Sequence, residues 1–178
     1  MNLLHSIKAR ENDSIVNVII EVPCKSNEKV EYDYKAEKFV TDRVLSSNLA
    51  FPFNYGFVPE TWSNDNDPLD IAVLSSQSYP TGSQIKTKII GLLSTTDQEG
   101  GDSKLIAVPV SEKDPAFSKI NSVDDLDKNT LDNIEYFYKN YKINEPGKWV
   151  DINGYFPKDQ AEIKLNEAIE SYHQNFQK

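Results

Sequence analysis

The chain has one cysteine, two histidines and one methionine among its 178 residues. A single thiol, Cys24, excludes an internal disulfide and any cysteine-based zinc site. His5 and His173 stand near opposite ends, outside any motif, so a Ser-His or Cys-His nucleophilic centre has no evident base. No apolar run approaches the roughly 20 residues that span a membrane. The opening MNLLHSIKARENDS holds two leucines before polar residues resume, so no secretory apolar region is read there. Positive charge is also short, and the formal net charge is −9. That balance is unfavourable for a nucleic-acid or anionic-membrane partner. The expectation is a soluble, cytoplasmic protein with neither kind of partner.

What is present is enough apolar material for a core. Nine tyrosines and eight phenylalanines, within 38% hydrophobic residues, argue for a folded globule. The length suits one domain, 1–178, without covalent staples. β-Branched residues predict a strand at 15–23, ending at Pro23. Residues 29–34 alternate, with Val30, Tyr32 and Tyr34 on one face and Lys29, Glu31 and Asp33 on the other. The run 39–45 reads as the returning strand of a hairpin. The aromatic segment 50–62, broken by Pro52, Gly56 and Pro59, reads as a packed, irregular loop. Further strands are expected at 71–75, 85–93 and 105–110, with a polar turn over 95–104.

Helices are expected last. Ser122 and Asp125 have capping-box spacing, ahead of Leu126, Leu131, Ile134, Phe137, Tyr138 and Tyr141 at roughly helical intervals. On periodicity alone Tyr141 reads as a core residue. A final amphipathic helix carries Ala161, Leu165, Ala168, Ile169, Tyr172 and Phe176 on one stripe. The pattern implies an α+β domain, a mostly antiparallel sheet or barrel with helices packed on it.

Polar residues that packing does not explain gather at strand ends and loops. The densest group is DNDPLD at 65–70, three aspartates in six positions before an apolar run. A turn needs only one such cap. A calcium loop of the EF-hand type fails here. Leu69 and Asp70 stand where a ligand and a glycine are required, Pro68 precedes them, and a strand follows instead of a helix. Asp97 and Asp102 form a second acidic turn of similar spacing. If the fold joins the two, Asp65, Asp70, Asp97 and Asp102 make an oxygen-only pocket suited to hard cations such as Mg2+ or Mn2+. Lys29, Arg43, Lys104 and Lys142 do not ligate metal, and their natural partner is an oxyanion such as phosphate. Metal ligands, phosphate-binding cations and a spare carboxylate, Asp67, together describe a two-metal phosphoryl hydrolase. Asp67 is then placed to take a proton from the attacking water.

DNDPLD with Ile71 fits, at every position, a signature of the family I soluble inorganic pyrophosphatases. That signature reads aspartate, a small or polar residue, aspartate, proline or glutamate, an apolar residue, aspartate, an apolar residue. The chain resembles the family's compact bacterial type from IIEVP at 19–23 to PGKWV at 146–150. The similarity takes in Lys29 and Glu31, the Asp42-Arg43 pair, Tyr55 in FNYG, TTD at 95–97, GDSKLIAVP at 101–109 and the Tyr141-Lys142 pair.

The resemblance implies a mostly β fold, a five-stranded OB-like barrel with antiparallel strands, flanked by two C-terminal helices. It implies hydrolysis of inorganic pyrophosphate to two orthophosphates by direct water attack, without a covalent intermediate. Several Mg2+ ions per site, replaceable by Mn2+ or Zn2+, and a cytoplasmic homohexamer are implied likewise. Asp67 is then the catalytic residue, and Asp65, Asp70, Asp97 and Asp102 hold metal. Lys29, Arg43, Tyr55, Lys104, Tyr141 and Lys142 grip pyrophosphate, while Glu21 and Glu31 are outer or extra-metal carboxylates. Three departures stand out: Phe51 where relatives often carry tyrosine, Gln98 where glutamate is common, and a Glu21–Lys29 segment one residue shorter. The alternative is a non-catalytic OB-like module that binds divalent metal or a phosphorylated ligand.

Overall fold

Every position of β1 (Val16–Val22) is buried, because this strand is paired along both edges. The structure, a computed structural model, describes residues 1–46 and 48–177. On one edge β1 pairs with β4 (Asn54–Phe57), and on the other with β6 (Gln84–Asp97). β4 then pairs with β5 (Asp70–Val73), β5 with β7 (Gly100–Pro109), and β7 with β6. Five strands therefore close into a ring, the OB-like barrel, and closure removes free edges. Four of these pairings are antiparallel, but β5 and β7 run parallel. The barrel is thus mostly antiparallel, as the sequence pattern implies, with one parallel seam. The chain leaves β5, runs back along β6, and turns into β7 in the original direction, as a parallel pair requires.

β2 (Glu28–Asp33) and β3 (Lys38–Val44) form a separate two-stranded hairpin. β8 (Val150–Pro157) extends the sheet along the outer half of β6. Two helices flank the sheet, α1 (Lys128–Asn140) and α2 (Lys158–Phe176). Successive residues of β5 and β7 divide between two cores. Ile71, Val73, Leu105 and Ala107 join the cluster under α2 with Ala161 and Leu165. Ala72, Ile106 and Val108 join the cluster under α1 with Ile134 and Phe137.

Several boundaries differ from the sequence reading for physical reasons. The segment 50–62 contains β4, whose four residues are all buried, so no polar alternation marks it. The polar turn over 95–104 is instead the tip of one long hairpin. β6 runs to Asp97, β7 starts at Gly100, and only Gln98 and Glu99 lie between. The capping box at Ser122 is real but caps a short 3-10 turn, Val123–Asp125. The long helix begins later, where Asp127 accepts from the Thr130 N–H.

Gly56 fixes how closely β4 and β1 approach. A Cβ there would collide with the Ile19 carbonyl oxygen on β1, and neither backbone has a flexible group to move aside. Gly56→Ala is expected to lower stability by about 3 kcal/mol, read as a shifted urea midpoint at unchanged m-value. A midpoint like the parent's would show that this seam tolerates a methyl group.

Candidate active site

The acidic loop is built by a few backbone anchors. The Val58 N–H donates to the Leu69 carbonyl, and the Leu69 N–H donates to the Thr61 hydroxyl. The Ser63 N–H donates to the Asp67 carbonyl, closing a tight turn. Asn66 takes a left-handed conformation, φ 63°, which asparagine tolerates well. Leu69 plugs the α2-side core. These anchors place Asp65, Asp67 and Asp70 around one opening, with Asp70 starting β5.

The β6–β7 hairpin supplies the facing wall. Asp102 and Lys104 are two residues apart on β7 and so share a face. The Lys104 ammonium bonds Asp102 at 2.9 Å and also Asp70. Asp97 ends β6, accepts from the Glu99 N–H, and bonds the Lys142 ammonium at 3.0 Å. Lys142 lies just past α1. Tyr141, its C-cap, stacks on Phe137 with ring centroids 5.5 Å apart.

The β2–β3 hairpin carries Lys29 opposite Arg43. Lys29 bonds Glu31 at 2.8 Å and Asp42 at 3.1 Å, and Asp42 also takes the Arg43 Nε at 3.0 Å. Glu21, from β1, is buried at the floor, and Tyr55 stands beside it on β4.

All thirteen residues singled out from the sequence line one cavity of about 240 Å³. Tyr32, Phe57, Pro68, Gln98, Glu99 and Lys148 line it too. Glu145 adds a charge that sequence reasoning missed. It pairs with Arg43 and, at 3.1 Å, with Lys148. Its only signal was an i, i+3 Glu–Lys spacing in a turn, which surface charges share. Gln98, the departure noted above, accepts from the Trp149 N–H and ties the hairpin tip to the start of β8. Phe51 is fully buried against Phe137, within the α1-side core.

Comparison with known proteins identifies the family. The family model described as inorganic pyrophosphatase matches residues 18–173. The chain belongs to the inorganic pyrophosphatase family. It is 44% identical over 155 residues to the inorganic pyrophosphatase of Saccharolobus solfataricus, covering 87% of this chain and 90% of that one. The solved inorganic pyrophosphatase of Helicobacter pylori superposes with TM-score 0.91 at 39% identity, over 95% of this chain and 99% of that one. The Thermus thermophilus inorganic pyrophosphatase superposes with TM-score 0.91 at 33% identity, over 97% and 99%.

Within this pyrophosphatase fold the carboxylates push on one another. Asp67, though open at one side, is raised to about 7 by desolvation first, then by Asp65, Asp70 and Glu31. Burial, Asp70 and Asp102 raise Asp65, and burial, Asp70 and Glu31 raise Glu21 well above the carboxylate range. Desolvation alone would lower Lys104, but Asp70 and Asp102 outweigh it and hold its ammonium charged. Burial would raise Asp97, yet the Glu99 N–H and Lys142 keep it low.

The donor set fits a hard divalent cation. Its possible ligands are oxygens, chiefly carboxylates, while His5 and Cys24 lie outside the cavity. Among the described residues no three such groups already converge on one point, and lysines stand between the carboxylates.

The raised Asp67 has a signed consequence. Its folded value exceeds the unfolded value of about 3.9, so ionising it costs stability as pH rises from about 4 to about 7. In cation-free buffer Asp67→Asn is expected to melt about 2–4 °C above the parent at pH 8, with the gain gone at pH 4. An equal difference at both pH values would show that Asp67 is not repelled.

Proposed function

We propose that this chain hydrolyses inorganic pyrophosphate to two orthophosphates by direct attack of water, with no covalent enzyme intermediate. Mg2+ is the natural cation of the reaction, several ions per site, and Mn2+ or Zn2+ can replace it. Family membership supports the reaction. The observation that carries it is a single cavity in which Lys29, Arg43, Lys104 and Lys142 face Asp65, Asp67, Asp70, Asp97 and Asp102. Divalent cations held by Asp65, Asp70, Asp97 and Asp102 would neutralise phosphate charge and make a water more acidic.

The protein's own groups divide the remaining tasks. Arg43 presents a planar fork to one phosphate, and Lys29, beside it on the hairpin, adds a point charge. Lys142 and the Tyr141 hydroxyl approach from the end of α1, and Lys104 and Tyr55 from the barrel floor. Asp67 is the base. It lies between Asp65 and Asp70 and lines the same cavity, beside the groups that would hold the cations acidifying the attacking water, so it is placed to take that water's proton. Glu21 and Glu31 lie behind this layer as outer or extra-metal carboxylates.

Residues 1–178 act as one domain in this reading. Family membership supports a cytoplasmic homohexamer, with pyrophosphate as its ligand and neither nucleic acid nor membrane as partner. No helix among the described residues is long and apolar enough to cross a membrane.

Phosphate release from pyrophosphate is expected with Mg2+ and absent with chelator. Release indifferent to Mg2+ would overturn the metal-assisted reaction, and tight binding with no turnover would favour the non-catalytic module. Rates on tripolyphosphate and a nucleoside triphosphate should fall well below the pyrophosphate rate. Asp67→Asn is expected to keep Mg2+ binding yet lose about 10²–10⁴ in turnover. Turnover like the parent's would remove Asp67 from the role of base.

A further inference from the structure

Tyr138 belongs to the apolar face of α1, and the reaction described above leaves it unused. Its ring stacks on Phe53, centroids 5.5 Å apart and planes 25° apart, and meets Tyr141 nearly edge-on. The hydroxyl is buried and has no hydrogen-bond partner among the described residues. A phenylalanine would fill the same space without stranding a polar group, which is destabilising when buried. The hydroxyl therefore lacks a purpose in the resting packing.

Its neighbour suggests one. The Lys104 ammonium lies 5.9 Å from the ring centroid of Tyr138 and 5.9 Å from that of Tyr55. It is buried, so water cannot readily take its N–H groups. It has three donors, and Asp70 and Asp102 are its two carboxylate partners. Those same carboxylates are the ones assigned to divalent cations. Asp70 and Asp102, if they held such an ion, would be less available to the ammonium, which would then need another acceptor within the buried layer. Burial, the largest influence, keeps the Tyr138 hydroxyl protonated, with Lys104 and Asp70 the next groups acting on it. A neutral hydroxyl has free lone pairs to accept an N–H.

We propose that Tyr138 is a positioning residue: its hydroxyl accepts the Lys104 ammonium when a divalent cation takes over Asp70 and Asp102, and so keeps that ammonium aimed at the phosphate. The role rests on the metal-assisted reaction proposed above. It belongs to the hydroxyl and not to the ring, which separates it from packing.

The decisive comparison is Tyr138→Phe against the parent, with Tyr138→Leu as a packing control. Without cations, Tyr138→Phe should melt at or above the parent temperature, because a stranded hydroxyl has been removed. Calorimetric titration with Mg2+ alone, without substrate, should show binding weakened about three- to tenfold. Tyr138→Leu should add a lower melting temperature through lost packing, and if it fails to fold Tyr138→Phe still decides. A purely structural hydroxyl would give the opposite pattern, a lower cation-free melting temperature with Mg2+ binding unchanged. Unchanged Mg2+ binding in Tyr138→Phe, beside a parent that binds Mg2+ and turns over, overturns the proposal alone. A parent that does neither overturns the underlying reaction as well.

Discussion

Mutual neutralisation of partly buried cations and carboxylates at the barrel mouth is the constraint on which the rest depends. Lys104 sits between Asp70 and Asp102, Lys142 on Asp97, and Lys29 between Glu31 and Asp42. Each pair is partly desolvated, so removing one partner would strand a charge. The same pairs are also in the wrong long-term company for catalysis. The carboxylates suit metal cations, and the lysines suit phosphate. In the proposed reaction, binding of metal and phosphate would exchange partners within a set of charges already gathered, and the protein would not need to assemble that set anew.

Such crowding needs a frame that does not yield. The closed ring supplies it, with β1 buried at every position and Gly56 letting β4 lie directly against the Ile19 carbonyl. Some site residues are fixed where an element begins or ends, and Asp102, Lys104, Lys29 and Arg43 are held within strands. Asp70 opens β5, Asp97 closes β6, and Tyr141 caps α1. At those points the backbone is held by the ladder or by the helix while the side chain is free to face solvent.

Much of this was legible in the sequence. Period-two alternation exposed the β2 face that carries Lys29 and Glu31, and those two side chains do meet. β5 and the inner parts of β6 and β7 were visible as apolar runs. β4 was not, because a strand buried on both faces has no polar rhythm, and Pro52 before it and Gly56 within it read as loop. β8 was missed because its residues after Val150 mix exposed and half-buried positions and take their conformation from pairing with β6. The polar tip of the β6–β7 hairpin has the composition of a loop. Only long-range pairing makes it strand, and local propensity carries no such information.

The candidate site divides in the same way. An excess of aspartates over what a turn needs pointed to Asp65, Asp67 and Asp70, because surplus charge is a local anomaly. Tyr141 gave no such signal, and periodicity alone placed it in the core. It does stack on Phe137, as a core residue would, yet it also lines the cavity. Tyr138 is the harder case. By spacing it is another apolar-face residue of α1, and by burial it is one. What distinguishes it is a hydroxyl left without a partner, on a ring whose centroid lies 5.9 Å from a buried ammonium, a relation between α1 and β7 that no window of sequence contains. Residues of this kind, chemically redundant where they pack, become visible only when every buried polar atom has been asked for its partner.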